Sequence, residues 1–229
     1  MAKNLVDYKD WAPVEHLSGV YFNKVFANDP ALIKKPLVIR IENDEPSIFG
    51  QSLGFKTEGD MHLLRLILEV ISNGKVTSRH SNVVVIDNVL KKIVRFEPLA
   101  SINSNKIDQF LANTLRPLFK GYIYEQVNSH PQDSLKDIGL CVAFTIKFAY
   151  FYRNRSPIIF EGAYDIHRFS KAVKTLYPTT AAEEATDIEF GWGGGLALGL
   201  LGGLAIGGAV AAAASPRPIY YSPYGPYHY

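Results

Sequence analysis

Residues 191–214 form one apolar run without a charged or strongly polar side chain. About 20 residues of α-helix, rising 1.5 Å each, cross the hydrocarbon core of a bilayer, and this run is slightly longer. Gly191, Gly195, Gly199, Gly203 and Gly207 recur at every fourth position. On a helix they form one stripe along which a second backbone can approach closely. The run therefore reads as a glycine-zipper transmembrane helix in contact with membrane lipid. Its packing partner would be another helix, met through Gly195, Gly199, Gly203 and Gly207. Two rivals remain open, a segment lying on the membrane surface and a low-complexity linker. Glycine costs a helix about 1 kcal/mol per residue in water. In lipid, backbone groups left unpaired cost several kcal/mol each, which favours the helix.

This placement divides the chain into a globular domain at 1–178, a linker at 179–190, the membrane segment at 191–214 and a Pro/Tyr-rich tail at 215–229. It is the layout of a tail anchor with the body on the cytoplasmic face. The flanks carry Asp187 and Glu189 before the run and Arg217 after it, so the positive-inside rule weakly favours the opposite orientation. The tail is expected to be extended, with its tyrosines at the lipid interface. As an alternative it is a peptide that docks in a partner's aromatic groove. The first ten residues lack the apolar segment of a signal peptide.

The body is rich enough in apolar residues to fold: 47% of the chain is hydrophobic, and 13 Tyr and 13 Phe are present. A net charge of +2 gives no electrostatic case for nucleic acid. The single cysteine, Cys141, rules out an intrachain disulfide and agrees with a reducing compartment. Six scattered histidines show no zinc-ligand spacing, and no cofactor is implied.

The first 60 residues are broken by Pro13, Pro30, Pro36 and Pro46, and Leu37-Val-Ile-Arg-Ile41 reads as a short strand. The apolar run 62–71 fits helix or strand by periodicity, and the turn signal Asn73-Gly74 after it favours strand. Residues 81–86 and 92–96 are β-rich and read as a hairpin around Asp87-Asn88. Ile107, Phe110, Leu111 and Leu115 mark a helix that Pro117 ends. A strand is predicted over 121–127, a buried helix over 140–153 and a more polar helix over 163–177. The fold class is α+β, with a mixed sheet and the cysteine on its buried helix.

His80, Glu97 and Cys141 carry the most reactive chemistry. His80 opens the first hairpin strand and Glu97 closes the second. They oppose each other if the hairpin centres between Asn88 and Val89, and directly opposed Cβ atoms lie about 5 Å apart. A one-residue slip brings Arg79 or Ser81 opposite Glu97 and turns His80 to the other face. Cys141 falls at the predicted start of the core helix, where the dipole and a nearby imidazolium lower a thiol pKa. Such a thiolate is a nucleophile, with the histidine as its base and the carboxylate orienting the histidine. The residue types alone are weak evidence for this, since a buried cysteine is usually an inert core residue.

The run Arg79-His80-Ser-Asn-Val-Val-Val-Ile-Asp-Asn-Val-Leu-Lys-Lys-Ile-Val-Arg-Phe-Glu97-Pro98, followed by Gly139-Leu-Cys141-Val-Ala-Phe-Thr-Ile-Lys-Phe-Ala-Tyr-Phe-Tyr152, resembles the adenain/Ulp1-type cysteine peptidases. It is most similar to adenain-like proteins encoded by large DNA viruses. The resemblance covers about residues 62–160. It implies His80 as base, Glu97 as its partner, Cys141 as nucleophile and a glutamine before the cysteine as oxyanion donor. Gln132 is the nearest such glutamine, and Gln126 is a poorer fit. It also implies a protein substrate with small residues such as Gly before the scissile bond. Ser81 after the histidine and Leu140 before the cysteine replace the aromatic residues usual in the family. Two functions follow. One is a membrane-anchored, virus-encoded peptidase that hydrolyses peptide or isopeptide bonds. The other is an inactive virion protein linking the inner membrane to a capsid protein.

Overall fold

The computed structural model describes residues 17–50, 59–99, 104–127, 131, 140–160, 163–187 and 219–221. Gln132 and the apolar run 191–214 lie outside the described residues, and so does most of the tail. Among the described residues, no helix is long and apolar enough to cross a membrane.

The body is an α+β unit built on a six-stranded mixed sheet. After a short helix α1 (Val20–Val25) come β1 (Leu32–Glu42), β2 (Glu45–Phe49), β3 (Met61–Ser72), β4 (Lys75–Asp87) and β5 (Lys92–Phe96). Helix α2 (Ser104–Leu115) leads to β6 (Ile123–Val127), and α3 (Cys141–Arg153) follows. The order across the sheet is β2-β1-β3-β4-β5-β6. β3 and β4 form a long antiparallel hairpin, while β1 runs parallel to β3 and β6 parallel to β5.

The sheet is covered on both faces, which explains the ambiguous periodicity of 62–71. Met61 to Glu69 are all buried, as expected of a central strand packed on two sides. Leu63, Val83, Val85, Val94 and Phe96 pack against α3 and α1. Leu64, Leu66, Leu68, Val84, Ile86 and Ile93 pack against α2 through Ile107, Leu111 and Leu115. Asn73 and Gly74 take positive φ angles of 51° and 69° in a two-residue turn, the geometry that matches strand twist.

The β4–β5 register differs from the one that sets His80 against Glu97. Val83 pairs with Phe96 and Asp87 with Lys92, which centres the hairpin between Val89 and Leu90 and shifts the pairing by two residues. Turn chemistry is the cause. Asp87 Oδ1 accepts the backbone N–H groups of Val89 and Leu90, at 3.1 and 2.9 Å, and Lys91 closes the loop at φ 53°. An even shift preserves the face of every side chain. Glu97 therefore follows the pair Val83–Phe96 on the same face as His80, displaced along the strand.

Asp87 also anchors α3. Its carboxylate accepts from Arg155 Nη2 at 2.9 Å and from the Tyr152 hydroxyl at 3.3 Å, and it pairs with Arg155 Nη1. Burial would raise its carboxyl pKa, but the Arg155 bond, the two turn N–H groups and the Arg155 charge outweigh it and hold it below 3.8.

Beyond α3, the short strand β7 (Ile158–Phe160), α4 (Ala163–Leu176) and α5 (Ala181–Asp187) follow. The stretch read as a linker thus begins as a helix. Thr180 and Glu183 cap it reciprocally, Thr180 N–H to Glu183 Oε2 at 2.7 Å and Glu183 N–H to Thr180 Oγ1 at 3.2 Å. Tyr21 and Lys24 of α1 hold it through Thr179 and Glu183. The tail, read as extended with its tyrosines at the lipid interface, contributes β8 (Ile219–Tyr221), paired antiparallel with β7.

Candidate active site

Cys141 is placed where β5 stops. The last β4–β5 pair is Val83–Phe96, so the β4 edge at Ser81 has no strand beside it on that side. The start of α3 occupies the gap. The Ser81 N–H donates to the Cys141 sulfur, and Thr145 Oγ1 donates to the Ser81 carbonyl at 3.1 Å. Residues 141 and 145 lie one above the other on a helix face, so one face of α3 takes up both backbone groups of Ser81. Phe96 fixes the packing below, stacked on Phe148 and Phe160 with centroids 4.3 and 5.5 Å apart. Replacing Thr145 by valine removes the donor to a buried carbonyl. The expected loss is about 1–2 kcal/mol of stability, read as a lower urea midpoint with an unchanged slope.

The sulfur is nearly enclosed, with Cys141 3% exposed. It differs from an inert core cysteine in its neighbours, because the His80 imidazole hydrogen-bonds to it. His80 Nε2 faces Glu97 Oε1 at 3.6 Å, which leaves Nδ1 for the thiol. The structure therefore brings together three of the four residues singled out in the sequence: Cys141, His80 and Glu97. The fourth, Gln132, lies outside the described residues.

The electrostatics agree with a charge-separated pair. Burial would raise the Cys141 thiol pKa, but the hydrogen bond from His80, its charge, the Ser81 N–H and the Arg65 charge outweigh it and lower the pKa. Burial would lower the His80 pKa, yet the Cys141 bond, the Cys141 charge and Glu97 outweigh burial and the opposing Arg95 charge, and raise it. Both shifts favour the thiolate–imidazolium pair over the neutral one. The oppositely shifted pKa values are the arrangement expected of an activated nucleophile and its base.

Two arginines at the site went unrecognised in the sequence. Arg65, 3% exposed, lies in β3. Its guanidinium rests against the Gly19 backbone so closely that a Cβ there would fall 1.7 Å from Nη1. Arg95 is fully buried in β5 and pairs with Glu97 and Asp108. The available signal was the placement of each charge inside an apolar run, Leu63-Leu-Arg-Leu66 and Ile93-Val-Arg-Phe96, since a charge buried in a strand needs a partner. Gln126, the weaker oxyanion candidate, donates instead to Ser104 Oγ at 2.9 Å, on the side of the acid. Leu140 gives α3 no side-chain cap, and the first backbone N–H groups of a helix have no intrahelical acceptor.

No protein-family model matches the chain. No curated protein matches it either. Among solved structures it is similar to the C-terminal Ulp1 protease domain in complex with Smt3, the yeast ortholog of SUMO (13% identity, TM-score 0.34, 49% of this chain and 51% of that one). It is also similar to ChlaDub1 from Chlamydia trachomatis (13% identity, TM-score 0.41, 72% of this chain and 79% of that one). A third is the Chlamydia trachomatis effector protein Cdu1 bound to ubiquitin (12% identity, TM-score 0.42, 83% of this chain and 95% of that one). The chain spans about half the length of the Ulp1 domain it matches. These are likenesses of fold, and the chemistry of the site rests on the geometry above.

Proposed function

We propose that the chain is a cysteine peptidase that hydrolyses peptide or isopeptide bonds of a protein substrate. The observation that carries this is the contact series Cys141, His80, Glu97 at the start of α3. The Cys141 thiolate adds to the carbonyl carbon, forming an S–C bond and an oxyanion. The backbone N–H groups at the start of α3, that of Cys141 first, are suited to receive the oxyanion. As the C–N bond breaks, the His80 imidazolium gives its proton to the leaving amine. Water then attacks the thioester, His80 takes the proton, and the S–C bond breaks to release the acid and the thiolate. Glu97 keeps the ring oriented and stabilises its charged form. Gln132 remains a proposed second oxyanion donor.

The test is alkylation of Cys141 by iodoacetamide at neutral pH in the wild type and in His80→Ala. Fast labelling that the substitution slows by about tenfold supports the peptidase. Labelling no faster than a free thiol contradicts it. The 3% exposure of Cys141 favours one second reading, an inactive body that serves as a structural link between the virion inner membrane and the capsid. The same slow labelling is its expected result. The finer assignment to adenain-like enzymes of large DNA viruses is supported by residues 79–98 and 139–152, and a small residue such as Gly before the scissile bond goes with it.

Membrane attachment through 191–214 belongs to the same proposal and is supported by the length and apolarity of the run. β8 adds a condition. While it is paired with β7, both ends of the run are on the body's side of a bilayer. Two helical crossings need about 40 residues, more than the run supplies, so spanning requires release of β8. Carbonate extraction of the full chain and of a chain ending at Thr186 tests the attachment. The full chain is expected in the membrane pellet and the shortened one in the supernatant. Recovery of both in the supernatant contradicts attachment.

A further inference from the structure

Glu97 is divided between two cations. Its Oε1 faces His80, while Oε2 is bound by Arg95 Nη2 and by Ser104 Oγ at 2.9 Å. Arg95 is itself held on every side. Nε and Nη2 both donate to Asn82 Oδ1, at 3.1 and 2.8 Å, and Nη1 donates to Ser104 Oγ at 3.1 Å and Asp108 Oδ2 at 2.9 Å. Gln126 fixes Ser104 from β6. Four elements (β4, β5, α2 and β6) thus converge on one side of a carboxylate whose other side meets the imidazole. A carboxylate that is 0% exposed has no water to satisfy it and depends on partners inside the protein.

Resting on the peptidase reading, we infer that Arg95 is the positioning residue of the site: it clamps Oε2 of Glu97, so that Oε1 is presented to His80. Arg95 acts on the imidazole in two opposed ways. Its own charge disfavours imidazolium, but less than the Glu97 charge favours it. Removing Arg95 frees Oε2, so Oε1 is no longer held against the ring and the support from Glu97 that outweighed the Arg95 charge is lost. The net result is a lower imidazole midpoint and less thiolate on Cys141. A fork is also needed, because Lys in place of Arg retains the charge without the fixed donors that span Asn82, Ser104 and Asp108.

The experiment follows the His80 ring proton by NMR titration, together with the pH profile of Cys141 alkylation, in wild type, Arg95→Met, Arg95→Lys and Ser104→Ala. Folding of each is checked by near-UV circular dichroism. Arg95→Met is expected to lower the His80 midpoint by about one unit and the alkylation rate at pH 6 by up to about tenfold. Arg95→Lys is expected to fall between it and wild type. Ser104→Ala, which only loosens the clamp, keeps the protein folded if Arg95→Met does not, and shows a smaller change of the same sign. In a Glu97→Gln background, Arg95→Met is expected not to lower the midpoint further, because the effect passes through the carboxylate. An unchanged or raised His80 midpoint in Arg95→Met and Ser104→Ala overturns the inference, and so does an additive drop in the Glu97→Gln background. If wild-type Cys141 alkylates like a free thiol while the His80 midpoint still follows Arg95, the peptidase reading fails and the role of Arg95 stands.

Discussion

His80→Ala is expected to reduce hydrolysis of a peptide or isopeptide substrate by at least about a hundredfold, the lower end of what a general acid–base supplies. The effect on simple alkylation is smaller, and the difference between the two is informative. An ordinary cysteine with a pKa near 8.5 is about 1% thiolate at pH 6.5, so pairing raises the reactive fraction by up to about a hundredfold. A thiolate of lower pKa is also a weaker nucleophile, with a Brønsted slope of about 0.4–0.5, which removes roughly tenfold of that gain. Alkylation near pH 6.5 should therefore fall by about tenfold or somewhat more in His80→Ala. Burial without the imidazole moves the thiol further in the same direction. Above pH 9 the two proteins should label at similar rates. A hydrolysis loss no larger than the alkylation loss would mean that His80 only sets the thiolate population and transfers no proton to the leaving group.

The second large effect is structural. Asp87→Ala is expected to destabilise the body by about 3–4 kcal/mol, because it strips a buried ion pair of one partner and leaves Arg155 uncompensated. Asp87 is fully buried and binds Arg155, Tyr152 and two turn N–H groups. For a body of this size that is a fall in Tm of about 10 °C. Asp87→Asn keeps acceptors for the turn and should cost about half as much. The pH dependence has a definite sign. A carboxyl held below its ordinary 3.8 in the folded protein adds stability that is present above that value and lost as pH falls through the lower folded one. Wild type should therefore lose its advantage over Asp87→Asn on acidification below about pH 4. Chemical melts of the three proteins at neutral pH and near pH 3 check this. Equal stability of wild type and Asp87→Ala at neutral pH would contradict it. Because Asp87 sets the hairpin turn, Asp87→Ala should also loosen the β4–β5 register and, with it, the approach of Glu97 to His80.

That register marks the limit of what the chain spells out. The long elements are legible because they carry a repeated signal: a mostly apolar strand at 61–72, a β-rich hairpin, and a helix at 141–153 with ten buried residues. The identity of His80, Glu97 and Cys141 is legible from the residues and their resemblance to a known family. The two-residue displacement of Glu97 is not, since it depends on one Asp side chain choosing two N–H groups three-dimensionally close to it. The hold on the acid was hidden for a similar reason. Arg95, Asn82, Ser104 and Gln126 come from four elements, and nothing local says that they meet. β7 and β8 are three residues each, too short for any periodicity, and their pairing joins segments about 60 residues apart.

The proposed chemistry requires that Cys141, the only cysteine of the chain, rest as a thiolate beside the His80 imidazolium. The most direct measurement of this is the ultraviolet absorbance of the thiolate as a function of pH, with Cys141→Ser as the blank. It needs no access for a reagent to an almost enclosed sulfur, and no second cysteine confuses it. The predicted result is a midpoint well below that of a free cysteine, moving upward in His80→Ala. A wild-type midpoint at or above the ordinary thiol range, unmoved by that substitution, would contradict it.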